Sequence, residues 1–508
     1  MLNSLLIPIG FFYFLISGAL FLFGVNFIYL SYRAWREGHI PTPPAPKMEK
    51  WPTVTVQLPI YNEMYVAERI IQAAAQLDYP AEQLQIQALD DSSDETREIV
   101  RRVVARLHAQ GINVVHLHRT DRTGYKAGAL QAGLETATGE FIAIFDADFV
   151  PPADFLRRTL PYMQKPKTAF VQTRWGHLNR DYSWLTFLQS LAIDAHFMVE
   201  QFARSRSGFW FNFNGTAGVW RREAMEDAGG WTADTLTEDL DISYRAYLRG
   251  WHGRYLRDVV VPAELPVSFS AFRKQQHRWA RGSLECALKL GPQVWRAPIS
   301  LPHKFQATLH LTGYSVHLLL FALTLIYPLV VIFTAQQVHF STLYGFAYLF
   351  ALTSVAPTLF FVIGQQQLGR PWWKLLPKIL GISVVGSGLM VNTVRAAWQI
   401  WRKRENVFER TAKFGIEEQK QDWTRQRYQL RFDPIVIVEL LLGSFSLCAA
   451  WLAVRLASWG IVAYALLFGA GLILVASVTI TQTMAVYRSR KAREKRKQAE
   501  QMQLMADG

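Results

Sequence analysis

The sequence predicts an α/β domain with a mostly parallel sheet, inserted between transmembrane helices. Two observations lead to this fold class. Half of the 508 residues are hydrophobic and only 19% are charged, and several uncharged runs are long enough to cross a bilayer. Between the first two of these runs, β-branched segments alternate with helical patterns, which is the order typical of a parallel sheet covered by helices.

Five apolar segments are predicted to cross a membrane. Residues 1–32 carry no charged side chain, and a second uncharged stretch lies between Lys304 and Arg370. Further apolar runs follow closer to the C-terminus. The predicted spans are 5–30, 309–334, 342–364, 435–454 and 459–485.

Basic segments determine the predicted orientation. With five spans, the basic residues after the first span, the stretch 402–431 and the tail 488–497 lie on one side, which the positive-inside rule assigns to the cytosol. The apolar run Ile379–Val394 is only 16 residues long and is followed by Arg395, and a crossing there would put 402–431 on the opposite side. We therefore predict that 375–400 is interfacial or re-entrant, and that the α/β domain and the C-terminus are cytosolic.

Composition and charge exclude several classes of protein. A disordered or fibrous chain is excluded because both need low hydrophobicity or strong periodic bias. The two cysteines, Cys286 and Cys448, are too few for a disulfide scaffold. The formal net charge is +14, but the basic tail has no interleaved aromatic residues, so a membrane-topology signal is favoured over nucleic-acid binding.

The predicted organisation divides the chain into eight parts. They are a transmembrane helix (1–32), a linker (33–50), the α/β domain (51–285), interfacial helices (286–308), two transmembrane helices (309–364), an interfacial segment with a loop (375–432), two transmembrane helices (434–487) and a basic cytosolic tail (488–508).

The α/β domain begins with strands and helices in strict alternation. The predicted strands are Thr53–Leu58, Gln85–Leu89, Ile112–His116 and Glu140–Phe145, and the predicted helices are Val66–Leu77, Asp94–Gln110 and Gly124–Thr136. Acidic residues follow two of the strands, namely Asp90 with Asp91 and Asp146 with Asp148. Since ligands of parallel sheets bind beyond the carboxyl ends of the strands, a site is expected there.

Two motifs at this edge could hold phosphate groups. Asp146 and Asp148 can share a divalent metal ion that neutralises a diphosphate, although turns often contain the same pattern without a metal. Gly124–Gly128 can present backbone amides and the Lys126 ammonium to a phosphate at a helix N-terminus. The alternative for the second motif is an ordinary helix opened by glycine.

Two later motifs carry groups suited to catalysis. Thr237-Glu238-Asp239 precedes the helical run Leu240–Arg249, where a carboxylate could act as a general base or could simply be stabilised by the helix N-terminus. Gln275–Trp279 combines an amide, a guanidinium and an indole, which can hold phosphate oxygens and stack on a sugar. The alternative is an amphipathic helix packed on the membrane surface.

Taken in order, these motifs resemble the processive family 2 glycosyltransferases of the cellulose synthase superfamily, and within it the cellulose-synthase-like A and C proteins. The stretches that carry the resemblance are Val56–Glu63, Gly124–Leu130, Ala143–Phe149, Val171–Trp175, Phe213–Trp220 and Tyr244–Trp251. The resemblance implies a GT-A domain that transfers glucose or mannose from a nucleotide sugar, with Mg²⁺ or Mn²⁺, to a growing β-linked polysaccharide. It also implies extrusion of the product through the protein's own transmembrane channel.

The resemblance implies a role for each matching residue. Asp239 is the expected general base. The residues expected to bind donor or metal are Asp90 and Asp91 at the base and ribose, Lys126 and Gly128 in the nucleotide site, Asp146 and Asp148 at the metal, and Gln275 and Arg278 at the diphosphate. Trp279 and the stretch Asn214, Gly215 and Thr216 are expected to bind the acceptor sugar. Phe408, Thr411 and Lys413 resemble a gating loop, although Arg410 stands where that family has valine.

Alternatives remain open at this level. A non-processive enzyme that glycosylates ceramide or diacylglycerol shares the aspartates and the Arg-Trp motif, and a transporter or inactive scaffold is a third class. The donor is UDP-glucose or GDP-mannose, and neither the sugar nor the linkage follows from the residues. The expected location is a bacterial plasma membrane or, in a eukaryote, the Golgi membrane.

Overall fold

A seven-stranded mixed sheet forms the centre of the α/β domain. In this computed structural model, the described residues are 2–336, 351–405, 408–417, 421–428 and 432–506. The strands are β1 Val54–Ile60, β2 Leu84–Asp90, β3 Val114–His118, β4 Phe141–Ile144, β5 Thr168–His177, β6 Gly218–Arg221 and β7 His252–Ala263, in the order β3-β2-β1-β4-β6-β5-β7. Strand β6 runs antiparallel to its neighbours β4 and β5, and the other pairings are parallel.

The first four strands confirm the sequence prediction to within a few residues. All seven residues of β2 are buried, including the polar side chains of Gln85, Gln87 and Asp90, so this strand is not a purely apolar run. Helices α2 Ala67–Ala75 and α3 Thr96–Ala109 pack on one face of the sheet, and α4 Tyr125–Thr136 packs on the other. The parallel register pairs Ile60 with Asp90, so the carboxyl ends of β1 and β2 lie side by side.

The second half of the domain completes the sheet with β5, β6 and β7. Its helices are α5 Phe155–Thr159, α6 Trp184–Ala195, α7 Phe202–Arg206, α8 Arg222–Asp227 and α9 Glu238–Leu248. Residues His196–Gln201 form a π-helical turn between α6 and α7. Helix α9 begins two residues before the predicted helical run, so Glu238 and Asp239 belong to its first turn.

A single 28-residue helix, α10 Phe269–Arg296, leads from the domain to the apolar helices. The Ser268 hydroxyl accepts a hydrogen bond from the Ala271 amide at 3.2 Å and so begins this helix. Helix α10 continues through residue 285, the predicted end of the domain, so no helix end marks that boundary. Helix α11 Leu301–Leu311 follows.

The apolar part comprises α1 Leu2–Glu37, α12 Ser315–Gln336, α13 Ala356–Gln367, α14 Trp372–Gly388, α15 Met390–Trp401, α16 Ile435–Arg455 and α17 Trp459–Ala506. Five described segments are long and apolar enough to cross a membrane: Pro8–Glu37, Ser315–Ile332, Trp372–Trp401, Ile435–Arg455 and Trp459–Lys495. Four of them overlap predicted spans.

Two parts of the predicted topology differ from this set. Trp372–Trp401 is long and apolar enough to cross a membrane. The sequence predicts instead that 375–400 is interfacial or re-entrant, and the placement of this segment in the membrane stays a prediction. Of the predicted span 342–364, residues 342–350 lie outside the described residues, and the remainder forms a short turn, Leu352–Val355, and helix α13.

A buried ion pair joins α10 to the apolar helices. Arg273 on α10 pairs with Glu439 on α16, and both side chains are almost completely buried. Arg273 Nη2 also donates to Thr479 Oγ1 on α17 at 2.9 Å, and Asn392 Nδ2 donates to the Arg273 carbonyl at 3.1 Å. Removal of either charge would leave the other uncompensated in an apolar environment, so this pair fixes the position of α10.

Candidate active site

A cavity opens at the carboxyl ends of β1, β2 and β4. Its wall combines segments that are far apart in the sequence, from the end of β1 to the stretch after residue 408. The predicted site residues that line it are Asp91, Lys126, Asp146, Asp148, Asn214, Gly215, Asp239, Gln275, Arg278, Trp279, Phe408, Thr411 and Lys413. The fold thus brings most of the predicted site into one place.

Lys126 binds the first carboxylate of the Asp-x-Asp motif. Its ammonium lies 2.6 Å from Asp146 Oδ1 and 3.8 Å from Glu238 Oε1, and it donates to the Gly215 carbonyl at 3.0 Å. Burial raises the pKa of Asp146, and the Lys126 charge opposes that rise. Burial also disfavours the charge of Lys126, but the neighbouring carboxylates outweigh it and raise the pKa of Lys126, so the side chain stays protonated.

Lys413 binds the second carboxylate of the motif. Its ammonium lies 2.5 Å from Asp148 Oδ2 and donates to the Glu264 carbonyl at 2.9 Å. The Glu264 carboxylate, at the end of β7, accepts the amides of Phe414 and Gly415 at 3.0 and 2.9 Å. The segment that resembles a gating loop is therefore attached directly to the acidic edge of the cavity.

Asp239 lies in the first turn of α9 and faces the cavity. Its Oδ1 accepts the Leu240 amide at 2.9 Å. Burial raises the pKa of Asp239 to about 7, the Glu238 charge adds to the rise, and Lys126 opposes it. A carboxyl group with a pKa near the working pH is suited to general-base chemistry.

Gly215 allows the chain to pass close to Asp239. Its φ of +78° is a left-handed conformation that glycine adopts without strain. A Cβ atom at this position would lie 3.1 Å from Asp239 Oδ2 and 3.4 Å from Lys126 Nζ. The space between Asp239 and Lys126 is therefore available only because residue 215 has no side chain.

Five side chains form a continuous stack along the cavity, which we call the cation–aromatic stack: Tyr61, Arg122, Tyr125, Phe408 and Arg278. The Arg122 guanidinium carbon lies 3.4 Å from the ring centre of Tyr61 and 4.8 Å from that of Tyr125. Tyr125 stacks on Phe408 at 6.2 Å, and the Arg278 guanidinium carbon lies 4.6 Å from the Phe408 ring centre. These contacts join the β1 edge to α10 through Phe408.

Asn214 is held by hydrogen bonds on several sides. Its amide donates to Gln172 Oε1 at 2.7 Å, and its side-chain oxygen accepts from Gln201. Its Nδ2 lies 3.0 Å from His196 Nε2, and the other ring nitrogen of His196 lies 3.0 Å from Glu200. The π-helical turn thus positions a residue predicted to border the acceptor.

The cavity lining includes Asp91 but not Asp90, so the contact of Asp90 with the nucleotide stays a prediction. Adjacent residues at the end of a strand point to opposite faces, so only Asp91 lines the cavity. The Asp91 carboxylate there accepts two hydrogen bonds from Arg119, at 2.8 and 2.6 Å. The Asp90 carboxylate is fully buried behind it, where it accepts the Ser92 amide at 2.8 Å.

Gly128 and Thr216 also lie outside the cavity lining and have supporting positions. A Cβ atom on Gly128 would come within 2.1 Å of the Thr123 carbonyl oxygen, so this glycine allows α4 to pack against the preceding loop. Thr216 is buried, and its hydroxyl accepts the Asp146 amide at 2.8 Å. Both residues support the cavity wall near Lys126 and Asp146 without facing the cavity.

Several residues in the cavity were not among the predicted site residues. Glu63, Arg122, Glu264 and Arg410 line it, and burial raises the pKa of Glu63 to about 7. Glu63 ends the stretch Val56–Glu63, so the resemblance could have indicated it. Glu264 lies in no motif, and its role depends on a contact with residues 414 and 415 that only the folded chain provides.

The comparisons with known proteins agree with this geometry. The family described as "Glycosyltransferase like family 2" matches residues 52–282. Glucomannan 4-beta-mannosyltransferase 2 of Arabidopsis thaliana is 45% identical over 251 residues, which are 48% of this chain and 47% of that protein. Glucomannan 4-beta-mannosyltransferase 1 of Cyamopsis tetragonoloba is 44% identical over 253 residues, 49% of this chain and 48% of that protein. The chain thus matches about half the length of these relatives.

A solved structure shares the fold. The mannosyltransferase PcManGT from Pyrobaculum calidifontis, determined in complex with GDP-Man and Mn²⁺, superposes with a TM-score of 0.51 at 22% identity and covers 78% of this chain and all of that one. This likeness confirms the GT-A architecture predicted for the domain. The α/β domain is therefore similar to the glycosyltransferase-like family 2 over residues 52–282.

Proposed function

We propose that this protein is a membrane-embedded inverting hexosyltransferase that extends a β-linked polysaccharide from a nucleotide sugar. The observation that carries the proposal is the single cavity in which Asp239 faces Asp146, Asp148 and Arg278. A β-mannan or glucomannan is the favoured product, because the relatives at about 44% identity are named glucomannan 4-beta-mannosyltransferases. A β-glucan made from UDP-glucose is the second choice.

Asp146 and Asp148 fit a divalent cation. Their carboxylates lie at the cavity wall, and carboxylate oxygens are ligands that Mg²⁺ and Mn²⁺ prefer. In the structure each carboxylate is neutralised by a lysine, which indicates that the site favours a positive charge at both positions. A bound cation would neutralise the charge of a diphosphate, which two carboxylates alone would repel.

Different residues bind the nucleoside and the diphosphate of the donor. Asp91, held by Arg119, offers acceptor oxygens to the nucleoside, while Gln275 and Arg278 on α10 face the diphosphate. Arg278 carries a fixed positive charge and so stabilises the negative charge that develops on the leaving group. The cation–aromatic stack holds Arg278 in this orientation against Phe408.

Asp239 acts as the general base. It removes the proton from the attacking acceptor hydroxyl, which displaces the diphosphate from the anomeric carbon in one step and converts an α-linked donor to a β-linked product. A single displacement needs no carboxylate nucleophile, unlike the double displacement of retaining glycosidases. The Trp279 indole lines the same cavity and offers a face on which the acceptor sugar stacks.

The apolar helices support a location in a membrane, with the domain and C-terminus on the cytosolic side where nucleotide sugars are available. The loop that carries Phe408, Thr411 and Lys413 closes the cavity over the donor, and the product leaves along the helices that follow α10. These assignments rest on the five candidate spans and on the basic segments that flank them.

Product analysis tests the proposal. Purified full-length protein is incubated with GDP-mannose or UDP-glucose and Mg²⁺ or Mn²⁺, and the products are digested with linkage-specific hydrolases. A ladder of β-1,4-linked oligosaccharides supports the proposal, and excess chelator should abolish it. A single glycosylated lipid as the product would favour the lipid glycosyltransferase over the polysaccharide synthase. If no nucleotide is released under any condition, both hypotheses are wrong.

The Trp279→Ala variant tests whether the indole binds the acceptor rather than the donor. It should retain nucleotide binding, because Asp91 and Arg278 are unchanged, but it should lose chain elongation. Trp279→Phe keeps an apolar ring and should elongate better than the alanine variant. Loss of nucleotide binding with normal elongation of primers would reverse the roles assigned to α10.

A further inference from the structure

A second group of metal-ligating side chains lies outside the cavity, on the edge of the sheet. Asp90 at the end of β2 and His116 and His118 on β3 bring three potential ligand atoms within 4.8 Å of one another. Asp90 Oδ2 lies 2.8 Å from His116 Nε2 and 3.4 Å from His118 Nδ1. The register pairs Asp90 with His118, so the backbone itself holds the three side chains on one face.

The cluster is enclosed but reachable from solvent. The Asp90 side chain is fully buried, whereas the side chains of His116 and His118 are 15% and 16% exposed. Strand β3 is the edge strand of the sheet, so no further strand covers the histidines. An ion could therefore enter without unfolding of the domain.

One atom of the cluster is not satisfied by the protein. His118 Nδ1 is buried and has no hydrogen-bond partner among the described residues. Asp90 Oδ1 accepts the Ser92 amide, and its Oδ2 faces both imidazoles. The Nδ1 atom lies 3.4 Å from Asp90 Oδ2, and either a proton on Nδ1 or a cation bound between the two atoms would make this contact favourable.

We infer that Asp90, His116 and His118 form a site for a divalent transition metal of the zinc class, separate from the Asp146 and Asp148 pair. Two imidazoles and one carboxylate are a ligand set that suits Zn²⁺ and leaves a fourth position for water. Mg²⁺ prefers oxygen ligands, so the two sites should select different metals. This inference goes beyond the proposed function and does not depend on it.

The site would lie directly behind the nucleotide edge of the cavity. Asp91 and Arg119, which pair in the cavity wall, are the immediate neighbours of Asp90 and His118, and the Arg119 amide donates to the Asp90 carbonyl at 3.0 Å. A metal ion here would tie the ends of β2 and β3 together. It would thereby fix the two backbone positions from which Asp91 and Arg119 reach the donor.

Metal stoichiometry tests the inference. Full-length protein is purified with a tag that contains no histidine, treated with chelator, and dialysed against Zn²⁺, and bound metal is measured by mass spectrometry. The Asp146→Asn/Asp148→Asn variant removes the other candidate site and should still bind one Zn²⁺ per chain. Adding His118→Asn should weaken that binding by at least ~100-fold, since loss of a supporting partner alone costs 10- to 100-fold.

Two controls make the outcome unambiguous. His252→Ala removes an exposed histidine from β7, at the opposite edge of the sheet, and should leave the stoichiometry unchanged. Asp90→Asn removes the carboxylate in case the histidine variant misfolds, and should weaken binding similarly. Absence of bound Zn²⁺ in the Asp146→Asn/Asp148→Asn variant, or equal binding after His118→Asn, would overturn the inference whatever the transferase activity proves to be.

Discussion

The Lys413 ammonium lies 2.5 Å from a carboxylate oxygen of Asp148, 265 residues earlier in the chain. In this state a lysine occupies a carboxylate that the proposed function assigns to a metal ion. The contact also holds the loop after Phe408 at the mouth of the cavity. If Asp148 holds a metal ion as proposed, metal binding and loop position would be linked through one side chain.

Lys413→Gln should bind Mn²⁺ more tightly than the wild type in the absence of nucleotide. Removal of the ammonium leaves Asp148 without a competing cation, and we expect about a tenfold gain in affinity, equivalent to about 1.4 kcal/mol. Titration of free Mn²⁺ by electron paramagnetic resonance measures the gain. Lys165→Gln, which removes an exposed lysine elsewhere on the domain, should change nothing. Equal or weaker binding by the Lys413 variant would show that the lysine does not compete.

Asp239→Asn should lose turnover by about 10²–10⁴-fold, because the amide cannot accept the acceptor proton. Donor affinity and Tm should change little, since the amide oxygen can still accept the Leu240 amide. The rival view gives Asp239 only a structural role in the first turn of α9, so that Asn would be nearly silent and Ala would cost about 1 kcal/mol. Turnover, donor affinity and Tm of both variants separate these views. Asp154→Asn, at an exposed carboxylate, is the control.

The pH dependence should reflect the raised pKa of Asp239. Burial first, and then the Glu238 charge, raises this pKa to about 7, so the base is protonated below that pH. We expect kcat/KM to fall about tenfold per pH unit below 7 and to level off above it. Glu63 also has a pKa raised to about 7 by burial, so Glu63→Gln is the matched control and should keep the acid limb. Loss of that limb in the Glu63 variant would assign the base differently.

Gly215→Ala should reduce turnover well beyond the cost of backbone strain. A matched control exists because Gly208 has a similar φ, +71°, but open space around its would-be Cβ. Both substitutions carry the left-handed penalty of about 1–2 kcal/mol. Only the Gly215 variant places a methyl group 3.1 Å from Asp239 Oδ2. We expect at least about a tenfold larger loss of kcat for Gly215→Ala than for Gly208→Ala, measured beside Tm for each.

The sequence predicts the local elements of this fold more fully than the contacts between them. Strands β1, β2 and β4 are buried and parallel. Strand β4 is an apolar run, whereas β1 and β2 place threonine or glutamine between apolar residues, and both patterns can be recognised without a structure. Strand β6 has four residues, Gly218–Arg221, and is antiparallel, so neither its length nor its direction follows from a pattern. The same holds for the π-helical turn that reaches Asn214.

In the candidate site, residue type could be predicted and orientation could not. Asp90 and Asp91 are equivalent in the sequence, and only the position of the sheet edge assigns Asp91 to the cavity and Asp90 to the histidines. Lys413 was predicted in a loop, but its partner Asp148 belongs to a strand end in another region. The neutralisation of each carboxylate by a lysine is a property of the folded chain alone.

Helix α10 carries Arg278 and Trp279, and five residues before Arg278 the same helix is joined to α16 by the Arg273–Glu439 ion pair. The segment from Arg273 to Trp279 is about 9 Å long at ~1.5 Å per residue and lies well before Pro292, so the helix holds these residues at a fixed separation. Mechanical load applied at the acceptor end would pass through the ion pair into the apolar helices. Under the proposed function, the reacting end of the enzyme would stay stationary during repeated transfer, and the product would have to advance by the length of each added sugar.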